Sequence, residues 1–109
     1  MPNVYTNAKK DLTSNGATVL YTAPALTTSI VKSIIVSEDS GNADTITVTI
    51  TDAESSPAVF SLFKTKSISA NGTAELVTAP LVVKTGEILK VTAATANRLH
   101  VIASILEVS

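Results

Sequence analysis

The residues of this 109-residue chain with the greatest chemical reach are few and scattered. His100 is the single histidine, and there is no cysteine. A serine–histidine–carboxylate triad would need the imidazole beside an activated serine, and no nucleophile-elbow motif accompanies it; one imidazole alone cannot make a common zinc site. His100 is therefore expected on the outward side of a strand. The acidic stretch Glu38-Asp39-Ser40-Gly41-Asn42-Ala43-Asp44 is the better ligand candidate. Hard oxygens gathered round a glycine turn can wrap a calcium ion, with Asp52 or Glu54 adding a carboxylate. The EF-hand spacing and its closing bidentate glutamate are missing, however, and Asp, Asn, Ser and Gly are also what solvated hairpin loops use. A metal held by Glu38, Asp39 and Asp44 is thus secondary to a plain acidic loop, and no cofactor is expected.

The remaining chemistry thins out quickly. None of the nine carboxylates forms a pair that sequence can set across a cleft, so glycosidase chemistry is unsupported. Four scattered glycines make no phosphate loop. Asn71-Gly72-Thr73 fits the N-glycosylation pattern but reads better as a hairpin turn. The aromatics are only Tyr5, Tyr21, Phe60 and Phe63, which equips a sugar-binding platform poorly. The chain is expected not to be an enzyme.

Charge excludes two further classes. Eight basic and nine acidic residues leave a net charge of −1, and no basic cluster exceeds Lys9-Lys10 or Lys64/Lys66. Phosphate-backbone binding needs more, so nucleic acid is not an expected partner. No run approaches the roughly eighteen apolar residues of a membrane helix, and Met1-Pro2-Asn3-Val4 lacks the charged-then-apolar order of a signal peptide. The expectation is a soluble chain made in the cytosol, with no membrane partner.

The scaffold that positions these residues announces itself at Ile46-Thr47-Val48-Thr49-Ile50-Thr51. Strand side chains have period two, so the apolar residues fall on one side and the threonines on the other. Similar runs follow one another between Gly, Pro, Asn and Asp signals: 17–22, 29–37, 43–52, 58–64, 73–78, 81–83, 87–93 and 98–108. Short strands at this spacing specify an all-β protein, a single antiparallel β-sandwich of about eight strands, with jelly-roll and Ig-like orders both open. Residues 16–109 form that domain. Residues 1–15 are polar and read as an N-terminal arm, either a tail or an addition to a sheet edge of its own or another subunit.

Two patterns go beyond strand count. Gly16 to Pro24 aligns without gaps on Gly72 to Pro80, identical at Gly, Leu, Thr, Ala and Pro; Ile30-Val31-Lys32 then answers Ile88-Leu89-Lys90, and Ile46/Val48 answers Leu99/Val101. This internal duplication predicts two halves packed about a pseudo-two-fold axis. The last strand is apolar on both faces: Leu99, Val101, Ala103 and Ile105 on one, Ile102, Leu106 and Val108 on the other. A sandwich strand needs only one such face, so the second calls for cover by the arm, by a crossing loop or by another subunit. Ile102, Leu106 and Val108, with Val4 and Tyr5 of the arm, are the candidate oligomer or capsid contacts.

The run Leu20-Tyr21-Thr22-Ala23-Pro24, then Thr27-Thr28-Ser29-Ile30-Val31-Lys32-Ser33-Ile34 and Val36-Ser37, then Ser40-Gly41 ahead of a Thr/Val alternation, resembles small β-sandwich virion structural proteins of tailed bacteriophages, of the marine and cyanobacterial type. The resemblance covers most of the chain from about residue 16. It implies a non-enzymatic protein located in the virion and used in many copies, most simply as a capsid decoration or cement protein, with neck, tail or host-glycan-binding modules as alternatives. The implied partners are its own copies as a homo-oligomer and virion proteins such as the major capsid protein.

Overall fold

The computed structural model describes residues 3–53 and 56–108; Glu54, named above as a supplementary carboxylate, lies outside them. Nine strands are described: β1 (Val4–Asp11), β2 (Thr18–Thr22), β3 (Thr28–Glu38), β4 (Asp44–Thr51), β5 (Val59–Ile68), β6 (Thr73–Val77), β7 (Leu81–Val83), β8 (Ile88–Ala93) and β9 (Leu99–Val108). They form two sheets, one ordered β1-β9-β3-β6 with β7 also on β3, the other β2-β8-β4-β5. The inward side chains of both sheets meet in one core, with Ile34, Val36, Leu99 and Val101 facing Ile46, Val48, Leu89 and Val91, all fully buried.

The pairing is nested. β4 pairs β5, β3 pairs β6 and β7, β2 pairs β8, and β1 pairs β9, each antiparallel. With β6 and β7 counted as one broken strand, this is the jelly-roll order, which decides between the two orders the sequence left open. β1 supplies the strand beyond the eight expected. Its polar sequence hid it, because an edge strand buries little on either side and so carries no apolar alternation. It joins the edge of its own sheet, opposite β9 from Val4↔Glu107 to Asp11↔His100.

The internal match is visible in the hydrogen-bond register. Leu20 in β2 is skipped between Val19↔Lys90 and Tyr21↔Leu89, and Leu76 in β6 is skipped between Ile35↔Glu75 and Ile34↔Val77. The two matched leucines are thus the extra residues of two equivalent bulges, each turned into the core. Ile46/Val48 and Leu99/Val101 also correspond, since the first pair lies opposite Ala93 and Val91 and the second opposite Glu38 and Val36. The middle segment needs correcting. Leu89 lies next to Tyr21 as Ile34 lies next to Val77, so Ile88-Leu89-Lys90 answers Ser33-Ile34-Ile35 and not Ile30-Val31-Lys32. The match is displaced by three residues, and a one-residue register shift at Lys32 in β3 further interrupts this segment.

Polar latches tie the sheets at the two ends of β3. At its end, the buried carboxylate of Glu38 accepts the backbone amides of Ser40 (2.7 Å), Gly41 (3.0 Å), Asn42 (3.1 Å) and Asn71 (2.9 Å), and the Ser40 hydroxyl. One side chain thereby folds the β3–β4 loop and pins the β5–β6 turn to it. Asn71 adopts the left-handed conformation at φ 54°, and a Cβ at Gly72 would crowd the Ser69 hydroxyl and stand 3.0 Å from the Ser69 carbonyl oxygen, so the pair Asn71-Gly72 is fitted to this turn. At the other end, the Tyr21 hydroxyl reaches across the sandwich to Ser29 (2.7 Å) and Glu107 (2.5 Å).

Candidate functional site

The carboxylates of the acidic loop are divided among separate tasks. Glu38 is turned inward onto the amides just described. Burial pushes its carboxyl up, but the Ser40 hydroxyl and the amides of Asn71, Ser40 and Gly41 outweigh that and hold it down at about 2. Asp44 accepts the amide of Thr95 at 3.0 Å. Asp39 faces His100, its Oδ2 lying 3.5 Å from Nδ1. Asp52 accepts the amide of Ala58 at 3.0 Å in the next loop. Among the described residues, no group of three or more His, Asp and Glu side chains is arranged to hold a metal ion.

His100 is on the outward side of β9, half-exposed. Asp11 of β1 lies 3.2 Å from its Nε2, on the opposite side from Asp39. Ser37 is its neighbour across the β3–β9 ladder. Both ring nitrogens are turned to carboxylates, which leaves neither aimed at Ser37, so these residues do not make a catalytic triad. The arrangement places the imidazole of β9 between β1 and the β3–β4 loop.

Burial of the Tyr21 phenol, with the hydrogen bond to Glu107 and that carboxylate's charge, pushes its ionisation up to about 12, against a smaller lowering by Ser29. This latch carries no local sequence signal, because Tyr21 and Glu107 stand 86 residues apart.

An apolar surface lies on the outside of the five-stranded sheet. Strand parity and register set Tyr5, Leu106, Ile30 and Val82 in one row across β1, β9, β3 and β7. Ile102 and Ile35 form a second row, with Lys9 at its end. Tyr5 is 75% exposed, Val82 53% and Ile102 46%. Between the rows lie Asn7, Ser104 and Ser33, and the Lys32 ammonium sits 5.9 Å from the Tyr5 ring centroid.

Three of the anticipated contacts, Ile102, Leu106 and Val108, are on this face together with Tyr5, while Val4 is on the opposite side of β1, 48% exposed. The N-terminal stretch lies in the plane of the sheet as β1, leaving the face without cover from that stretch. Ile30, Ile35 and Val82 belong to the same surface and escaped the sequence reading. Their signal was present: Ile30-Val31 and Ile34-Ile35-Val36 make β3 apolar on both sides, the pattern that singled out β9.

A scan against protein-family models gives no match, and a search of curated protein sequences gives none either. Solved structures do resemble the fold. A chain from the acidic stable capsid structure of Helicobacter pylori bacteriophage KHP30 superposes with a TM-score of 0.55 at 12% identity, over 97% of this chain and 87% of that one. A chain of infectious bursal disease virus, Gt strain, gives 0.53 at 8% identity, over 98% of this chain and 30% of its own length. The Clostridium thermocellum endo-1,4-beta-D-xylanase 10B structure, CBM22-1 and GH10 modules with xylohexaose, gives 0.50 at 10% identity, over 94% of this chain and 24% of that one. At these identities the likeness is one of fold, a β-sandwich shared by viral chains and an enzyme-borne module.

Proposed function

We propose that the chain is a non-enzymatic virion structural protein of a tailed bacteriophage, a jelly-roll module assembled in many copies, with decoration or cementing of the capsid surface as its role. The observation that carries this reading is the apolar outer face of the five-stranded sheet. A small sandwich that leaves Tyr5, Val82 and Ile102 open to water gains by placing them against a neighbour, at about 25 cal/mol per Å2 of apolar surface removed from solvent. A specific contact of standard size buries about 800 Å2 per partner, which a patch on four strands can contribute to without any chemistry. The likeness to two viral chains supports the same direction. Its partners on this reading are its own copies and the major capsid protein, its location is the virion, and its synthesis is in the host cytoplasm.

The test is Ile102→Asp combined with Leu106→Asp. The expected result is a chain that folds with an unchanged circular dichroism spectrum and is lost from assembled particles. Unchanged incorporation would remove this face from the assembly. A neck or tail position would appear as a different location and copy number on the intact particle. The competing host-glycan-binding module would show as specific, saturable glycan binding that depends on Tyr5, the most exposed aromatic ring described.

A further inference from the structure

The four free margins of the two sheets are built differently. β2 is bulged at Leu20, β5 shifts register twice along β4, and β6 is bulged at Leu76 beside a β7 of only three residues. Bulged and short edges resist the addition of another strand. β1 alone runs regularly, with eight consecutive pairs to β9 and no shift.

The direction of its free groups follows from one bond. The Leu12 amide donates to the Leu99 carbonyl at 3.0 Å, in line with the β1–β9 register. Antiparallel pairs alternate between bonded and non-bonded, so Ala8 and Thr6 also bond inward to β9, while Tyr5, Asn7 and Lys9 turn their amides and carbonyls to the open margin.

We infer that β1 is a self-pairing edge: a second copy of this chain adds antiparallel to β1 about a two-fold axis at Asn7, continuing the five-stranded sheet across the joint. Charge permits that register. Lys9 and Lys10 then lie opposite Tyr5 and Val4 of the second copy, whereas a parallel in-register pairing sets each lysine against itself. The lysines thus disfavour the parallel in-register pairing and leave the antiparallel one about Asn7 open. The joint also covers the exposed end of the Tyr5–Leu106–Ile30–Val82 row. This rests on the multi-copy reading above only in taking a second copy as the occupant.

The experiment is sedimentation equilibrium of the full chain over a series reaching about 1 mM, with amide hydrogen exchange at its two ends. The expected result is a concentration-dependent dimer in which exchange at Tyr5, Asn7 and Lys9 slows by about tenfold or more. Asn7→Pro removes an outward amide and no bond to β9, and Asn7→Lys keeps every amide but opposes two charges on the axis. Both are expected to be monomeric and folded. A wild-type chain that stays monomeric throughout, or an Asn7→Lys chain that dimerises as before, overturns the inference. If the wild type is monomeric yet its incorporation into particles still depends on Ile102 and Leu106, the edge falls and the face reading stands. If the edge dimer forms and incorporation ignores those residues, the reverse holds.

Discussion

β4 and β9 are equivalent strands of the two sheets, and their outward faces differ. Both bury a matched pair completely, Ile46/Val48 in β4 and Leu99/Val101 in β9. Outward, β4 presents Thr45, Thr47, Thr49 and Thr51, whose neighbours on β8 include Thr92 and Lys90. β9 presents His100, Ile102, Ser104, Leu106 and Val108, flanked by Ile30 and Ile35. Folding of one chain explains both inward faces and only the threonine outward face. A threonine hydroxyl can be satisfied by water while its branched Cβ suits the pleat. Isoleucine suits the pleat equally, but neither it nor leucine gains from solvent exposure. The difference between the two strands therefore separates an outward face that water satisfies from one that it does not.

The comparison breaks first if the inward faces are not equivalent. Ile46→Ala and Leu99→Ala should each cost about 2–5 kcal/mol of unfolding free energy, by lost transfer and a residual cavity. Urea denaturation of the two variants checks this, and a loss below about 1 kcal/mol in only one of them would deny the pseudo-symmetry of the core.

The seam between the sheets gives a smaller effect with a pH signature. The Glu38 carboxyl is held at about 2 in the folded chain, below its ordinary value of 4.5. A depressed folded value stabilises above the unfolded one, so this contribution is complete above about 4.5 and disappears as the pH falls towards 2. Glu38→Gln should lower the melting temperature at neutral pH by on the order of 5 °C. It should also flatten the wild-type loss of stability between pH 4.5 and 2, the range set by those values. A variant that melts with the wild-type pH dependence would show that the amides around Glu38 do not depend on its charge.

The smallest effect on stability sharpens the contrast most. Ile102→Thr with Leu106→Thr makes the outer face of β9 resemble that of β4. Unfolding free energy should move by no more than about 0.5 kcal/mol per site, as at other surface positions, while binding of an apolar dye and association with particles fall. A large loss of stability would mean that these side chains belong to the core.

Much of the fold was legible because burial leaves a periodic trace. The alternation at Ile46 to Thr51, the Gly and Pro punctuation and the two-faced run of β9 each follow from a local requirement of a pleated, half-buried strand. β5 was read only to Lys64 because its register shifts near Thr65, where φ is 49°, interrupt the alternation that marks a strand. The candidate surface was half legible: Ile102, Leu106 and Val108 stood out, whereas Ile30, Ile35 and Val82 needed the neighbouring strands to become part of the same patch.

The sequence by itself determined that this chain forms an antiparallel sandwich, that two stretches match internally, and that one strand has more apolar surface than its core needs. These are properties of neighbours in the chain, set by side-chain period and turn chemistry. Only the tertiary structure decided the jelly-roll order, the role of the polar N-terminal stretch as the regular edge β1, the enclosure of Glu38 by amides from two loops, and the junction of Tyr21 with Glu107. Each of these depends on which distant segments share hydrogen bonds, and a polar residue reads the same in the sequence whether its partner is water or a backbone amide thirty residues away.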